Sequence, residues 1–251
     1  KRPLASRVEE LGDIVYQERL GTLLDKSRRT QAIARHLGGT LGLDEGSRRD
    51  LERSAFLAKA DLVTHMVYEF GELRGVMGRE YARKSGENDR VARAIYEQYL
   101  PAAAGDRLPS DILGALLGVA DRMDTVVACH KVGLDPTGSQ DPYGLRRAAR
   151  CMNEIFWGLS LDGDLKELVR VAAQEIDAGD DVVSRVESFL QARLQVQLKE
   201  RGYPHDVVAL AMGVAWHRPL HLERLLDTLQ GVAPEAWFQA LRLAPDGPRL
   251  E

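Results

Sequence analysis

Apolar residues recur at helical spacing through nearly the whole chain. Val8, Leu11, Ile14 and Val15 fall on one face of a helix predicted over residues 6–18. Ile33, Leu37 and Leu41 lie four apart and run into Gly42, a residue suited to the left-handed position after a helix end. Ser47 lies three residues before Asp50, a short-range N-cap signal. Leu51, Ala55, Ala58, Leu62 and Met66 then extend one apolar face into a long third helix. Asn88 is placed to cap a helix bearing Val91, Ile95 and Tyr99, which Pro101 terminates. Ser110 opens the most apolar helix of all, through Ile112, Leu113, Leu116, Leu117, Ala120, Met123 and Val127, an arc wide enough for the middle of a core.

The second half continues the pattern. After a loop over residues 133–140, Asp141 offers an N-cap acceptor and Pro142 the first helical position, so a helix is expected over residues 142–157. Polar breaks at residues 161–165 and 179–181 place a domain boundary between 160 and 180. The resulting division is residues 1–165 and 166–251. Val182, Val186, Phe189, Leu190 and Leu194 build one amphipathic helix, and Pro204, Pro219 and Pro234 begin three more. No alternating run of strand length and no repeat of fixed period is visible. The fold class is all-α, a helical bundle followed by a second helical region.

Composition narrows the class. The 251 residues are enough for one large or two modest domains, and 44% apolar with 29% charged residues describes a folded globular chain. No apolar stretch approaches the length of a membrane span, and the first residues lead into a polar helix rather than a signal-peptide core, so a cytoplasmic protein is expected. The chain lacks an initiator Met and closes in a Pro-Asp-Gly-Pro-Arg-Leu-Glu phrase, which is expected of an excised piece of a longer protein. Cys129 and Cys151 are too few for a disulfide framework and are read as half-buried structural thiols. A net charge of −4 excludes nucleic-acid binding by the whole surface and leaves room for a local basic patch.

Candidate chemistry is sparse. His217 and His221 are four apart, but Pro219 lies between them and no carboxylate or thiol completes a metal set, so they read as surface or interface histidines. Asp61 and Asp121 each interrupt a core-facing helix, and a buried carboxylate requires a partner. They are either a pair of metal ligands or structural acids neutralised by Lys59, Arg122, Arg28 or Arg29. Two aspartates without histidines hold a transition metal poorly, which favours the structural reading. No phosphate-binding glycine loop, dinucleotide fingerprint or nucleophile elbow is present. Arginines cluster at Arg28 with Arg29, at Arg48 with Arg49, and at Arg146, Arg147 and Arg150. Most such clusters are solvated faces, yet arginine on a helix surface is also the usual tool for phosphate contact.

Several runs resemble the beta subunit of bacterial two-subunit glycyl-tRNA synthetase, in that family's order and across most of the chain. They are Pro3-Leu4; residues 17–22, Gln-Glu-Arg-Leu-Gly-Thr; Asp25-Lys26; residues 57–63, Leu-Ala-Lys-Ala-Asp-Leu-Val; and residues 69–78, Glu-Phe-Gly-Glu-Leu-Arg-Gly-Val-Met-Gly. Tyr-Leu-Pro at 99–101 and Ala-Asp at 120–121 follow. The most specific is Pro-Thr-Gly-Ser-Gln-Asp-Pro-Tyr-Gly-Leu-Arg-Arg-Ala at 136–148. Val-Glu-Ser-Phe-Leu-Gln-Ala-Arg-Leu at 186–194 resembles the helical region leading toward that subunit's anticodon-binding end.

The first half also resembles the HD superfamily of metal-dependent phosphohydrolases, with Val-Ala-Asp-Arg-Met at 119–123 similar to its last metal-binding turn. The departure is decisive for that chemistry. Ala60-Asp61 stands where a His-Asp dyad belongs, and residues 26–34 hold no histidine, so an HD-like domain without metal ligands is expected, with Ala60, Asp61 and Asp121 as vestigial positions.

Together the resemblances imply a non-catalytic scaffold and tRNA-positioning part of a glycine–tRNA ligase. Its partners would be the alpha subunit, in a heterotetramer, and glycine tRNA, with no membrane or DNA. No cofactor is expected in this chain; ATP and magnesium would be used through the alpha subunit. Arg28, Arg29, Arg146, Arg147 and Arg150 are the expected tRNA contacts. The alternatives are a metal-dependent nucleotide phosphohydrolase using Asp61 and Asp121, and a helical interaction module with no RNA role.

Overall fold

The computed structural model describes residues 2–231, and the helix expected from Pro234 lies outside them. Among the described residues the fold is all-α apart from one small hairpin. A 3-10 helix, Leu4–Asp13, leads into two short antiparallel strands, β1 (Val15–Gln17) and β2 (Gly21–Thr22). Then follow α1 (Leu23–Thr40), α2 (Glu45–Leu57), α3 (His65–Glu69), α4 (Val76–Lys84), α5 (Asp89–Glu97), α6 (Ile112–Lys131) and α7 (Leu145–Gly158). The last four described helices are α8 (Leu165–Gln174), α9 (Asp180–Glu200), α10 (His205–Ala215) and α11 (Pro219–Gln230).

Local chemistry sets most helix starts. Thr22 and Asp25 form a reciprocal capping box at α1, and Asn88 accepts the Val91 amide at α5. Pro219 occupies the first turn of α11, where a missing N–H costs no bond. Gly42 follows α1 with φ +69°, the left-handed conformation expected after that helix.

Helix α6 is the axis of the molecule. Leu113, Leu116, Leu117 and Met123 are wholly buried, each contributing roughly 1.5–3 kcal/mol of apolar transfer. Helices α1, α2, α5, α7, α8 and α9 all pack on it. One apolar cluster runs from Ile33 through α6 and α7 to Leu165, Leu194 and Leu226. The boundary expected at residue 165 therefore falls where α8 joins the same apolar cluster. A second, smaller cluster gathers Leu4, Leu11, Leu57, Ala60, Val91 and Ile95 under the 3-10 helix.

Four elements differ in their bounds from the sequence reading. The helix expected over 6–18 stops at Asp13, because Gly12 and Asp13 are poor helix formers and the following residues pair with β2; Val15 is consequently 66% exposed. The third helix begins after Asp44, which accepts the Ser47 amide, and stops at Leu57 instead of carrying on through Met66. Residues 58–63 turn so that the Asp61 carboxylate faces inward, and Thr64 restarts the chain as α3. Helix α6 is capped by Asp111, one residue after Ser110, which instead donates to Glu97. Helix α7 begins at Leu145, since Gly144 is left-handed; Asp141 still caps it, its two oxygens accepting the Leu145 and Arg146 amides.

Candidate functional site

Of the two vestigial acids, Asp121 lies in a buried polar seam. Lys26 reaches from α1 to α6, donating to Asp124 Oδ2 (2.9 Å), the Thr125 hydroxyl (2.8 Å) and the Asp121 carbonyl (3.1 Å). Lys59, from the turn after α2, donates to Asp121 Oδ2 (3.1 Å) and to Gln98 Oε1 (2.8 Å). Arg29 closes the other end with Nε on Asp124 Oδ1 at 2.6 Å. Asp121 therefore sits between two ammonium groups. Burial alone would raise its pKa, yet Lys26 and Lys59 outweigh burial and hold it below the usual carboxylate range. Burial likewise opposes the Lys26 charge, but Asp121 and Asp124 overcome it and raise the ammonium pKa; at Lys59 burial wins over Asp121 and the pKa is lowered.

Asp61 is not bonded to that seam. Its Oδ2 accepts the backbone amides of Gly75 (2.7 Å) and Gly78 (3.1 Å), and Thr64 donates to its carbonyl. Burial raises its pKa, opposed by the Gly75 amide and by the Lys59 charge. Two glycines make the contact possible. Gly75 has φ +77°, and a Cβ on Gly78 would lie 2.7 Å from Ile95 and 3.1 Å from the Asp61 oxygen it serves. The run at 69–78 is thus the cradle of a buried carboxylate. Ala60, where an imidazole would be needed, is fully buried in the smaller apolar cluster.

These residues do not fit a metal. Asp121 is held by the Lys26 and Lys59 cations and Asp61 Oδ2 by backbone amides, and among the described residues no group of three His, Cys, Asp or Glu is arranged to hold an ion. His217 lies ahead of α11 with Nε2 3.8 Å from Asp164 Oδ2, and His221 is exposed on that helix, so the two do not share one helix face. Cys129 and Cys151 are fully rather than half buried, and burial pushes the Cys129 thiol up to about 11, which makes it a poor nucleophile.

The arginines separate into two groups. Arg29 belongs to the core, and Arg122, half-buried next to Asp121 in sequence, donates to the carbonyls of Gln98, Gly118, Tyr99, Leu100 and Pro101. Arg28 is on the surface, 3.7 Å from Glu9; Arg48 donates to Leu43 O and Arg49 to Glu45. Arg146, Arg147 and Arg150 of α7 meet Arg193 of α9 around a surface hollow of about 310 Å³. Arg150 is paired with Glu154 and Glu200, Arg146 donates to Gly138 O, and Arg147 is exposed.

Sequence reasoning missed Lys26 and Asp124 as members of the seam, and Arg193 as a member of the arginine hollow. Asp124 stands three residues after Asp121, hence on the same helical face, and that spacing was the available signal. Arg193 comes from another helix, and only the fold brings it there.

The seam and the arginine hollow belong to one all-helical fold that carries ion-paired acids inside and a local cluster of arginines on its surface. The chain belongs to the glycyl-tRNA synthetase beta subunit family, whose model matches residues 1–213. It is 46% identical to the glycine–tRNA ligase beta subunit of Desulforamulus reducens over 83% of the chain, covering 31% of that relative. The corresponding figures are 45%, 96% and 36% for the beta subunit of Moorella thermoacetica. For that of Trichodesmium erythraeum they are 40%, 90% and 32%. The chain thus spans about a third of the length of the curated relatives it matches. No described helix is long and apolar enough to cross a membrane.

Proposed function

We propose that the chain is a non-catalytic scaffold and tRNA-positioning part of a glycine–tRNA ligase, working in the cytoplasm with a separate alpha subunit that activates glycine. ATP and magnesium act there, and this chain alone turns over nothing. The observation that carries the reading is the arginine hollow on α7 and α9. Guanidinium groups from two helices surround one concavity on a chain whose net charge is −4, so the positive potential is local and suited to a phosphate backbone. Arg146 and Arg147 lie within the run at 136–148 that resembles the family most specifically.

The test is affinity of the assembled enzyme for a glycine tRNA transcript over a salt series, comparing wild type with the double variant Arg146→Gln, Arg147→Gln. Each lost phosphate contact lowers the log–log salt slope by roughly 0.7–0.9 while thermal melting stays in place. An unchanged affinity and slope with an intact fold would remove the RNA role from this face and assign it to structure or to the alpha-subunit contact.

A further inference from the structure

Where α6 and α7 face residues 72–76 and 96–102, a cleft of about 460 Å³ opens, lined by Arg74, Tyr99, Asp121, Tyr143 and Arg147 among others. That volume is in the range that holds a small organic ligand. Arg147 lines both this cleft and the arginine hollow, so the two surfaces are continuous.

Two features of the cleft stay open to a ligand, and a third, buried at its wall, lacks a partner. The first is positive charge. Arg122 is committed to backbone carbonyls, but Arg74 and Arg147 have no carboxylate partner among the described residues; Arg74 lies over the Tyr99 ring, 5.4 Å from its centroid. The second is an aromatic face. Tyr96 carries Arg79 and Arg107, Tyr99 carries Lys59 and Arg74, whereas Tyr143 is 37% exposed with no ring or cation on it among the described residues. The third is a buried acceptor. Asp121 Oδ1 receives no hydrogen bond, although Lys26 Nζ stands 3.1 Å away. An ammonium has three protons, and those of Lys26 go to Asp124, Thr125 and the Asp121 carbonyl, which leaves Oδ1 short of a donor.

Free guanidinium groups, an unpartnered aromatic face and a carboxylate oxygen lacking a donor answer the three parts of a nucleotide: phosphate, base plane and base N–H edge. We infer that the cleft takes one unstacked nucleotide of the bound RNA, its base on Tyr143, an N–H of its edge toward Asp121 Oδ1, and its phosphate on Arg74 and Arg147. This rests on the RNA reading above and names the element of the RNA that this face engages.

The experiment uses the assembled enzyme with a glycine tRNA transcript and compares Tyr143→Ala, Tyr143→Phe and Arg74→Gln. Loss of a base stack weakens binding on the order of ten-fold. That loss is expected for Tyr143→Ala with the salt slope unchanged, and Tyr143→Phe restores affinity; Arg74→Gln lowers the slope by about 0.7–0.9. Acylation probing of the 2′-hydroxyls is expected to find one nucleotide protected in the wild-type complex and reactive with Tyr143→Ala. If that variant melts early, Tyr143→Leu replaces it, keeping bulk without a π-face. Wild-type binding and an unchanged probing pattern in the Tyr143 variants overturn the cleft assignment. If the Arg146→Gln, Arg147→Gln variant still loses affinity and slope, the RNA reading survives; if it does not, both fall.

Discussion

One ammonium joins two acids a helical turn apart: Lys26 Nζ lies 3.1 Å from Asp121 Oδ1 and 2.9 Å from Asp124 Oδ2. With Lys59 on Asp121 and Arg29 on Asp124, two acids and three cations cross-link α1, α6 and the turn after α2 inside the core. Each acid is thus held by two cations, with Lys26 shared between them. An isolated buried ion is far costlier than the pair it came from, so this seam makes those positions structural.

Lys26→Met leaves Asp121 and Asp124 short of a cation and is expected to cost about 3–5 kcal/mol, read as a drop in Tm or in denaturation midpoint. Arg28→Gln, two residues along α1 but on the surface, is expected to stay within about 0.5 kcal/mol. Equal melting of both variants would show that the seam contributes nothing to stability.

Asp61 offers a sharper contrast because its partners are backbone amides. Asp61→Ala strands the Gly75 and Gly78 N–H groups in the interior, at about 1–3 kcal/mol for each unsatisfied group, whereas Asp61→Asn keeps an acceptor oxygen and is expected to be much milder. Gly78→Ala is expected to cost about 1–3 kcal/mol by overpacking against Ile95 and Asp61. Chemical denaturation of the three variants checks the order; an Asn variant as unstable as the Ala variant would mean the charge itself is required.

What the sequence made legible follows from what each signal depends on. The α6 core, the α5 cap at Asn88 and the α9 stripe of Val182, Val186, Leu190 and Leu194 are local patterns, and they formed as read. The turn at 58–63 was not legible, since apolar spacing through Ala58, Leu62 and Met66 continues a helix that the inward Asp61 interrupts; its partners, Gly75 and Gly78, lie 14 and 17 residues away. Among the site residues, the Lys59–Asp121 pairing was readable as a buried acid needing a nearby cation. Arg29 was readable as one of several cations able to meet a buried acid, but nothing local reveals that the acid is Asp124, 95 residues on, which also removes Arg29 from the surface.

Acid should separate the two vestigial aspartates. Asp121 has a folded pKa below its ordinary value, so its contribution is present above about pH 4 and is lost as pH falls through the depressed folded value. Asp61 has a raised folded pKa, so its charged form is penalised at neutral pH and the folded state gains as acid protonates it. The Tm advantage of wild type over Asp121→Asn is therefore expected to shrink on acidification below about pH 4. Wild type should instead gain on Asp61→Asn as pH falls through the raised value. Melting curves across a pH series read both trends, and parallel curves for the Asp121 pair would deny the two lysines their effect.

Within the arginine hollow the three residues of α7 are not equivalent, and the ranking is testable. Arg150 holds Glu154 at 3.1 Å and Glu200 at 2.5 Å, linking α7 to the end of α9, so a phosphate there competes with two carboxylates already in place. Arg146 gives one N–H to the Gly138 carbonyl and keeps the remainder of its fork. Arg147 has no carboxylate partner among the described residues and borders both the hollow and the cleft. Single Gln variants of the assembled enzyme are expected to lower the salt slope of tRNA binding most at Arg147, less at Arg146 and least at Arg150, with a full contact worth roughly 0.7–0.9 of slope. Thermal melting should run the other way, with Arg150→Gln alone losing stability, and by no more than about 1 kcal/mol because its pairs are partly solvated. A slope loss confined to Arg150 would mean that RNA displaces Glu154 and Glu200, and the contact face would then centre on the α7–α9 seam instead of the helix start.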